Sequence, residues 1–274
     1  MSAFATAEAQ RRQTAPFGRR RATVLENRAI GAYRLLRCDD AAGPAPRPGQ
    51  FYMLAAAERW GGGEAERPFL PRAFSVMRDR EGPLEFLLED VGPGTRRLAE
   101  LGEGEELWLT GPLGVGFSAP PQGHRPLHVG GGIGIAPLAI WQDRLAAGTA
   151  LLGFRDAAHT EAASLLDDVS TATDDGSVGH HGLVTELLVR ELDRDARAAV
   201  YACGPPPMLE AVRALCAARG VPAQLAMESG MACGFGACFG CVVPTRSGYV
   251  RLCVDGPVLD GAELETALVA GAGH

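Results

Sequence analysis

The spacing of strand-like segments changes abruptly near residue 120, and this change limits the possible folds more than any other feature. Before it, six short apolar runs are separated by Gly and Pro, at residues 22–25, 33–36, 51–54, 73–76, 84–88 and 106–109. After it, strand-like and helical runs alternate. The first pattern predicts a six-stranded antiparallel β-barrel, and the second predicts a parallel sheet with helices on its faces.

The chain is therefore predicted to be an α/β multidomain protein. Its 274 residues correspond to two domains and a remainder at roughly 150 residues per domain. We expect a disordered tail over 1–18, the barrel over 19–118, the α/β domain over 122–222 and a small Cys- and Gly-rich domain over 223–274. The run Arg59 to Glu64 interrupts the barrel pattern and is predicted to be a loop insertion.

The charge balance excludes some classes of partner. All 26 basic residues are Arg, and 33 acidic residues give a net charge of -7, which argues against a nucleic-acid or anionic-membrane surface. No run of 18 apolar residues is present, and residues 1–18 lack the apolar core of a secretory signal. We therefore expect a cytoplasmic protein, in which clustered cysteines hold metal or perform redox chemistry more often than they form disulfides.

Four cysteines near the C-terminus form the most specific motif. Cys233, Cys238 and Cys241 follow the spacing C-x4-C-x2-C, and Cys253 comes later in the chain. This is the plant-type [2Fe–2S] ligand spacing, and the glycines between the cysteines allow backbone N–H groups to approach the sulfurs. A four-cysteine zinc site is the alternative, although zinc sites usually use two short knuckles.

Two turns in the α/β segment are candidate nucleotide-binding elements. The first joins a strand to a helix, where glycines let the backbone approach a diphosphate and the helix N-terminus supplies N–H donors. The second ends a later strand, at the sheet edge where open α/β sheets bind ligands. Tight turns without a ligand remain the alternative. The candidate residues are Gly130, Gly131, Gly132, Gly134 and Pro137 in the first turn, and Cys203, Gly204, Pro205 and Met208 in the second.

Two further motifs lie in the barrel segment. Arg72-Ala73-Phe74-Ser75 puts an arginine and an aromatic ring on one face of a strand, where they could bind a diphosphate and a planar heterocycle beside a hydroxyl. Gly92-Pro93-Gly94-Thr95 offers a second anion-binding turn. An ordinary edge strand and a plain turn are the alternatives.

The remaining cysteines and histidines carry no recognisable chemistry. Cys38 and Cys216 fall in apolar patterns and are predicted to be buried thiols. His159, His180 and His181 lie in loop-like stretches and are predicted to be surface residues. No Ser/His/Asp or paired-carboxylate arrangement is apparent.

Taken together, these motifs resemble the ferredoxin–NADP reductase superfamily over residues 20 to 262. In that superfamily a barrel with R-x-[FY]-S binds a flavin, and an α/β domain with GGGIG-A-P and CGP-x-PM turns binds a nicotinamide nucleotide. Residues 228–243 and 252–258 narrow the match to the electron-transfer subunits of class 1B dihydroorotate dehydrogenases, as do Gly111-Pro112-Leu113-Gly114 and Asp174-Asp175-Gly176-Ser177.

The resemblance implies three redox groups. FAD would contact Arg72, Ala73, Phe74, Ser75, Leu87, Leu88, Glu89, Gly94 and Thr95. The [2Fe–2S] cluster would be bound by Cys233, Cys238, Cys241 and Cys253, and NAD by the two glycine turns, with Cys203 near the nicotinamide. Asp156 slightly favours NAD over NADP, since no basic residue specific for a 2′-phosphate is apparent.

The resemblance also implies a partner and a direction of electron flow. An FMN-containing catalytic subunit would oxidise dihydroorotate, and electrons would pass through the cluster and FAD to NAD+ in de novo pyrimidine (UMP) biosynthesis. Two copies of each chain are expected, with Phe235 and Phe239 on the docking surface. The alternative is that these two rings pack against the flavin domain. This oxidoreductase subunit would not oxidise dihydroorotate alone.

Two residues depart from the family pattern, and two other functions are kept as alternatives. Val115 stands where the family more often has asparagine, and Gly230 replaces a larger polar residue. One rival is a flavin and iron–sulfur reductase subunit of another complex, such as a sulfhydrogenase or a transhydrogenase. The other is a zinc-stabilised binding module without flavin.

Overall fold

The N-terminal part of the protein is a barrel of six antiparallel strands. The computed structural model describes residues 18–41, 43–61, 68–79 and 82–269. The strands are β1 (Arg20–Ile30), β2 (Tyr33–Asp39), β3 (Phe51–Ala56), β4 (Arg72–Ser75), β5 (Leu84–Leu88) and β6 (Glu106–Leu113), and a short helix α1 (Pro93–Ala99) lies between β5 and β6. Residues 1–17 of the predicted tail and residues 62–64 of the predicted loop lie outside the described residues.

The sheet order confirms the predicted barrel. The strands follow the order β4-β3-β6-β1-β2-β5. The two edges meet just after β4, where the Met77 backbone N–H donates to Glu85 at 2.8 Å and Glu85 donates to Arg78 at 2.9 Å. Apolar side chains from all six strands, including the fully buried Tyr52 and Phe86, fill the interior.

The second sheet has seven strands, and helices connect most of the parallel ones. Its elements are β7 (Arg125–Gly131), α2 (Ala136–Leu145), β8 (Thr149–Phe154), α3 (Ala157–Thr160), β9 (Val169–Thr173), β10 (His180–His181), α4 (Val184–Arg194), β11 (Ala198–Cys203), α5 (Pro206–Arg219) and β12 (Ala223–Ala226). Short 3-10 turns cover Gly132–Ile135, Glu161–Leu165 and Gly261–Glu263. This confirms the predicted parallel α/β architecture.

The C-terminal segment adds a hairpin and returns to the large sheet. It forms β13 (Val242–Thr245), β14 (Gly248–Arg251), the short helix α6 (Leu252–Asp255) and β15 (Val258–Asp260). The large sheet has the order β10-β9-β8-β7-β11-β12-β15, in which β15 is antiparallel to β12. Strands β12 and β15 come from residues 223–274, so the sheet extends across the domain boundary predicted at 222.

One apolar core joins the three parts of the chain. Met53 and Leu113 of the barrel belong to the same buried cluster as Val200 of the large sheet and as Cys241 and Cys253 near the C-terminus. The C-terminal segment therefore uses the surfaces of its neighbours, as its small size requires. Among the described residues, no helix is long and apolar enough to cross a membrane.

Two predictions about single residues have different outcomes. Cys38 and Cys216 are buried, as predicted. The prediction that His159 lies on the surface was wrong, because its side chain is buried between Asp156 and Glu89. The position of His159 in a loop-like stretch did not indicate that a hairpin of the barrel covers its side chain.

Candidate functional site

The four C-terminal cysteines converge from a loop and a short helix. Cys233, Cys238 and Cys241 lie between β12 and β13, and Cys253 lies in α6. The Sγ atoms of Cys241 and Cys253 are 3.2 Å apart. Cys233 and Cys238 interact through their side chains, and the charge of Cys233 acts on Cys253. The structure thus places the four predicted cluster ligands in two pairs, Cys241 with Cys253 and Cys233 with Cys238.

Backbone N–H groups surround these sulfurs. Gly240 N–H points at Cys238 Sγ at 3.4 Å, and Cys253 N–H points at Cys241 Sγ at 3.5 Å. Burial raises the pKa of the Cys233 thiol, but hydrogen bonds from the backbone of Cys238, Phe235 and Ala237 outweigh it and lower this pKa to about 6. The loop is therefore arranged to stabilise thiolates.

The other side of this site is buried. Cys241 and Cys253 are each 2% exposed, and burial raises the pKa of Cys253 to about 12, with a further contribution from Cys241. A bound metal ion would stabilise the deprotonated form of these two adjacent buried thiols.

The arrangement of the thiols distinguishes between metals. Among the described residues, no three His, Cys, Asp or Glu side chains are grouped to bind one metal ion. Two pairs of thiols match two irons with two protein ligands each, whereas a structural zinc site needs four ligands around one ion. The donor set therefore fits a [2Fe–2S] cluster better than zinc.

The cysteine loop has an exposed side and a packed side. Phe235 and Phe239 are 56% and 63% exposed, as the docking prediction requires. The Arg251 guanidinium lies 5.4 Å from the Phe239 ring centroid and donates to the Gly236 carbonyl at 3.2 Å. On the opposite side, a methyl group added at Gly234 would lie 2.6 Å from Met53 of the barrel.

The two predicted nucleotide turns contact each other at the carboxyl ends of β7 and β11. A methyl group at Gly134 would lie 2.4 Å from the Cys203 carbonyl oxygen, and one at Gly131 would lie 2.6 Å from Met208 Sδ. The remaining members of the two turns lie in the same place: Gly130, Gly132, Pro137, Gly204 and Pro205. The structure therefore forms a single crevice edge from turns that are about 70 residues apart.

Cys203 lies at this edge as a neutral thiol. Burial raises its pKa well above the ordinary range, and the carboxylate of Glu228 raises the pKa further. The residue is therefore not a thiolate at neutral pH.

Tyr33, at the start of β2, was not predicted from the sequence. Its side chain is 1% exposed, and its hydroxyl lies 3.6 Å from the position that a Cβ atom would take on Gly132. No pattern in the sequence around Tyr33 indicates that its side chain reaches the glycine turn, because this contact depends on how the barrel packs on the α/β domain.

The predicted flavin residues of the barrel come together only in part. A methyl group at Gly94 would lie 2.6 Å from Arg72 Nε, so the arginine lies over the N-terminus of α1. No carboxylate among the described residues forms an ion pair with Arg72, which leaves its charge available to an anion. Thr95 Oγ1 is already used within its own turn, where it accepts from Val91 and Gly92.

The side chains of Phe74, Leu87 and Leu88, also predicted to contact the flavin, are buried and make no polar contacts. Phe74 packs in the barrel core at 9% exposure, between Ala73 and Ser75, which lie closer to the surface. Leu87 and Leu88 are fully buried at the end of β5. The side chains of Phe74, Leu87 and Leu88 are therefore covered by protein and do not line an open site.

Glu89 connects the barrel to the α/β domain. It accepts a hydrogen bond at 2.8 Å from Arg155 Nη2, and His159 Nε2 lies 3.5 Å from the same oxygen. Asp156 accepts from His159 Nδ1 at 2.7 Å. Arg155 and Asp156 are thus held by partners within the protein at the end of β8.

Comparison with known proteins identifies the family. Residues 228–265 match the family model for the iron–sulfur cluster binding domain of dihydroorotate dehydrogenase B. The dihydroorotate dehydrogenase B (NAD(+)) electron transfer subunit of Caldanaerobacter subterraneus subsp. tengcongensis is 37% identical over 89% of this chain and 97% of its own length. The chain belongs to this family of electron transfer subunits. The Geobacillus thermodenitrificans member is also 37% identical, over 90% of this chain and 98% of its own length.

Solved structures agree with this assignment and with the predicted superfamily. An NADH-dependent reduced ferredoxin–NADP oxidoreductase, studied for flavin-based electron bifurcation, superposes with a TM-score of 0.74 at 25% identity, covering 89% of this chain and 90% of that one. A cytochrome P450 reductase from Amycolatopsis gives a TM-score of 0.58 at 26% identity, covering 75% of this chain and 67% of that one. The resemblance stated from the motifs is confirmed.

The two departures from the family pattern make no contact with a cysteine side chain that the structure records among the described residues. Val115 donates its backbone N–H to the Gly256 carbonyl, and it bridges Pro257 next to β15. A methyl group at Gly230 would meet nothing within 4 Å. Both positions therefore leave the proposed ligands intact.

Proposed function

We propose that this protein is the electron transfer subunit of a dihydroorotate dehydrogenase B, with FAD and a [2Fe–2S] cluster as cofactors and NAD+ as the electron acceptor. The observation that carries the proposal is the convergence of four cysteine thiols, in two pairs, within a chain that belongs to this family. When bound, FAD exchanges electron pairs with the nucleotide and single electrons with the cluster.

The protein's own part in the reaction is to place these groups. Cys233, Cys238, Cys241 and Cys253 bind the irons, and the surrounding N–H groups stabilise negative charge on the sulfurs. Arg72 and the N–H groups near Gly94 bind the FAD diphosphate, while the strands that carry Phe74, Leu87 and Leu88 support the site. Ala73, Ser75, Glu89 and Thr95 complete the proposed FAD site.

The nucleotide is bound by the crevice edge where the two glycine turns meet. The ten-residue helix α2 presents its N-terminus there, and Gly130, Gly131, Gly132 and Gly134 permit a close approach of the diphosphate. Cys203, Gly204, Pro205 and Met208 form the wall next to the nicotinamide. Asp156 at the end of β8 favours NAD over NADP, and Glu89 partly neutralises the neighbouring Arg155.

A catalytic partner subunit supplies the electrons. We propose that it contains FMN, that it oxidises dihydroorotate and that two copies of each chain assemble. The exposed rings of Phe235 and Phe239 lie beside the exposed Cys238, so a partner that covers them would approach the cluster closely.

The test begins with the cofactors. Protein purified without oxygen should contain one FAD, two irons and two inorganic sulfides per chain. Cys253→Ser should lose the iron and sulfide but keep FAD, whereas Cys216→Ser, at a buried thiol outside the site, should lose neither. A colourless wild-type protein with one zinc per chain would overturn the redox assignment.

The second part of the test concerns the partner. Co-expressed with a dihydroorotate-oxidising FMN subunit, the chain should copurify with it and support NAD+ reduction by dihydroorotate. Cofactor-loaded protein that fails in this assay but reduces NADP+ or ferredoxin would instead support a reductase subunit of another complex.

A further inference from the structure

The hydroxyl of Tyr33 lies where the barrel meets the first glycine turn. The side chain is 1% exposed, and no described residue forms a hydrogen bond with the hydroxyl. The ring belongs to the same apolar cluster as Ile135 and Ala136 at the start of α2. The hydroxyl is therefore free to donate a hydrogen bond to a bound ligand.

The charged groups around Tyr33 are already paired with each other. Glu89 binds Arg155, and Asp156 binds His159, whose ring meets the Tyr33 ring edge-on with centroids 5.3 Å apart. This arrangement fixes the tyrosine ring and leaves its hydroxyl unused.

The hydroxyl is directed at the first glycine turn. It lies 3.6 Å from the position of a Cβ atom on Gly132, a residue with a φ of 53° that places its backbone in the left-handed region. The space that a side chain would occupy there is open between the turn and Tyr33. An oxygen atom of a ligand bound on the turn would be within hydrogen-bonding distance of the hydroxyl.

We propose that Tyr33 is a nucleotide-binding residue supplied by the barrel, which donates a hydrogen bond to the diphosphate of the nicotinamide nucleotide bound on the glycine turn. Burial raises the pKa of the phenol, and Glu89 raises it further, so the group stays protonated and acts as a donor. The inference rests on the proposed function and adds to it a contact that connects the flavin barrel to the nucleotide.

The test compares ligands with and without a diphosphate. In the full chain loaded with FAD and cluster, ADP and NADH report on the crevice because the FAD site is already filled, and adenosine lacks the phosphates. Tyr33→Phe should raise the Kd of ADP and NADH about tenfold, which corresponds to the loss of one hydrogen bond to a charged group. It should leave adenosine binding unchanged.

Tyr52→Phe is the matched control. Tyr52 is also a fully buried tyrosine, and its hydroxyl forms no hydrogen bond with another described residue, but it lies inside the barrel away from the glycine turn. This variant should bind ADP, NADH and adenosine as the wild type does. Without nucleotide, Tyr33→Phe should unfold at the wild-type temperature or above it, because no hydrogen bond within the protein is lost.

Three results would overturn the assignment of Tyr33. They are an unchanged Kd for ADP in Tyr33→Phe, an equal loss of ADP and adenosine binding, and release of FAD from the variant. A wild-type protein that binds no NADH would instead contradict the proposed function itself. Failure of the Tyr33 proposal can therefore be distinguished from failure of the proposed function.

Discussion

The cysteines of this protein differ widely in the pKa of their thiols. The thiol of Cys233 faces several backbone N–H groups and has its pKa lowered to about 6, while the buried thiols of Cys203 and Cys216 have theirs raised. The residues have the same side chain, and only their surroundings differ. A position beside the proposed nucleotide site therefore does not by itself make a cysteine thiol reactive.

We expect Cys203 to have no acid–base role. Because burial and Glu228 keep its thiol neutral, Cys203→Ala should lower the rate of NADH oxidation by less than tenfold between pH 6 and 9. The measurement is flavin reduction in a stopped-flow instrument. Loss of general acid–base catalysis would reduce the rate by about 100-fold or more, and such a result would contradict this view.

At the scale of elements, glycine turns position the strands against each other. Gly134 follows β7 and lies against the backbone of β11, so that the two strand ends form one crevice edge. The contact involves backbone atoms, which cannot move aside as a flexible side chain would.

Gly134→Ala should therefore weaken both the turn and the nucleotide site. Its methyl group would lie 2.4 Å from the Cys203 carbonyl, so we expect a destabilisation of about 1–3 kcal/mol and loss of NADH binding. Gly230→Ala, where a methyl group meets nothing, should change neither property. Thermal unfolding and NADH titration of both variants provide the comparison, and equal behaviour of the two would refute the argument.

A second element-level contact fixes the end of the described chain to α5. Glu210 accepts hydrogen bonds from Arg213, from the backbone N–H of Ala267 and from the hydroxyl of Thr266. The Arg213 contact contributes most to lowering the pKa of Glu210 from 4.5 to about 2. Because the folded pKa is below the unfolded one, this stabilisation is present above pH 4.5 and is lost as the pH falls towards 2.

Glu210→Gln should show this dependence directly. We expect the variant to be about 1–2 kcal/mol less stable than the wild type at pH 7, with a smaller difference at pH 3. Urea unfolding at the two pH values measures it. Glu103→Gln, at an exposed carboxylate without an ion pair among the described residues, should have little effect at either pH. A pH-independent loss in Glu210→Gln would show that charge is not the cause.

At the scale of the whole molecule, the cysteine loop lies where three parts of the chain meet. It packs on Met53 and Leu113 of the barrel and shares a core with the large sheet, while Phe235, Phe239 and Cys238 remain exposed. One side of the proposed cluster thus faces the interior, and the other faces the surface where a partner can dock.

Replacing the two exposed rings should separate partner binding from cluster binding. Phe235→Ser combined with Phe239→Ser should weaken association with the catalytic subunit by tenfold or more, because aromatic side chains dominate such interfaces. Iron content should stay at the wild-type level. Leu183→Ser, at an exposed apolar residue before α4, should leave the association unchanged. Sedimentation or copurification measures the outcome, and equal association of all variants would place the interface elsewhere.

The sequence by itself determined the elements and the chemical groups. Strand spacing predicted the barrel, strand–helix alternation predicted the parallel sheet, and cysteine spacing predicted the cluster ligands, because these patterns depend on local geometry and on neighbours close in the chain. The sequence did not show that β12 and β15 extend the large sheet.

Only the tertiary structure decided which distant groups meet. It placed Tyr33 on the glycine turn, buried His159 between two carboxylates and brought Gly134 against Cys203. The contacts of Tyr33 with Gly132, of His159 with Glu89 and of Gly134 with Cys203 join residues about 70 to 100 positions apart, and they arise from the packing of distant parts of the chain. Local sequence patterns carry no information about such packing, because the free energy that selects it comes from surfaces buried between the elements.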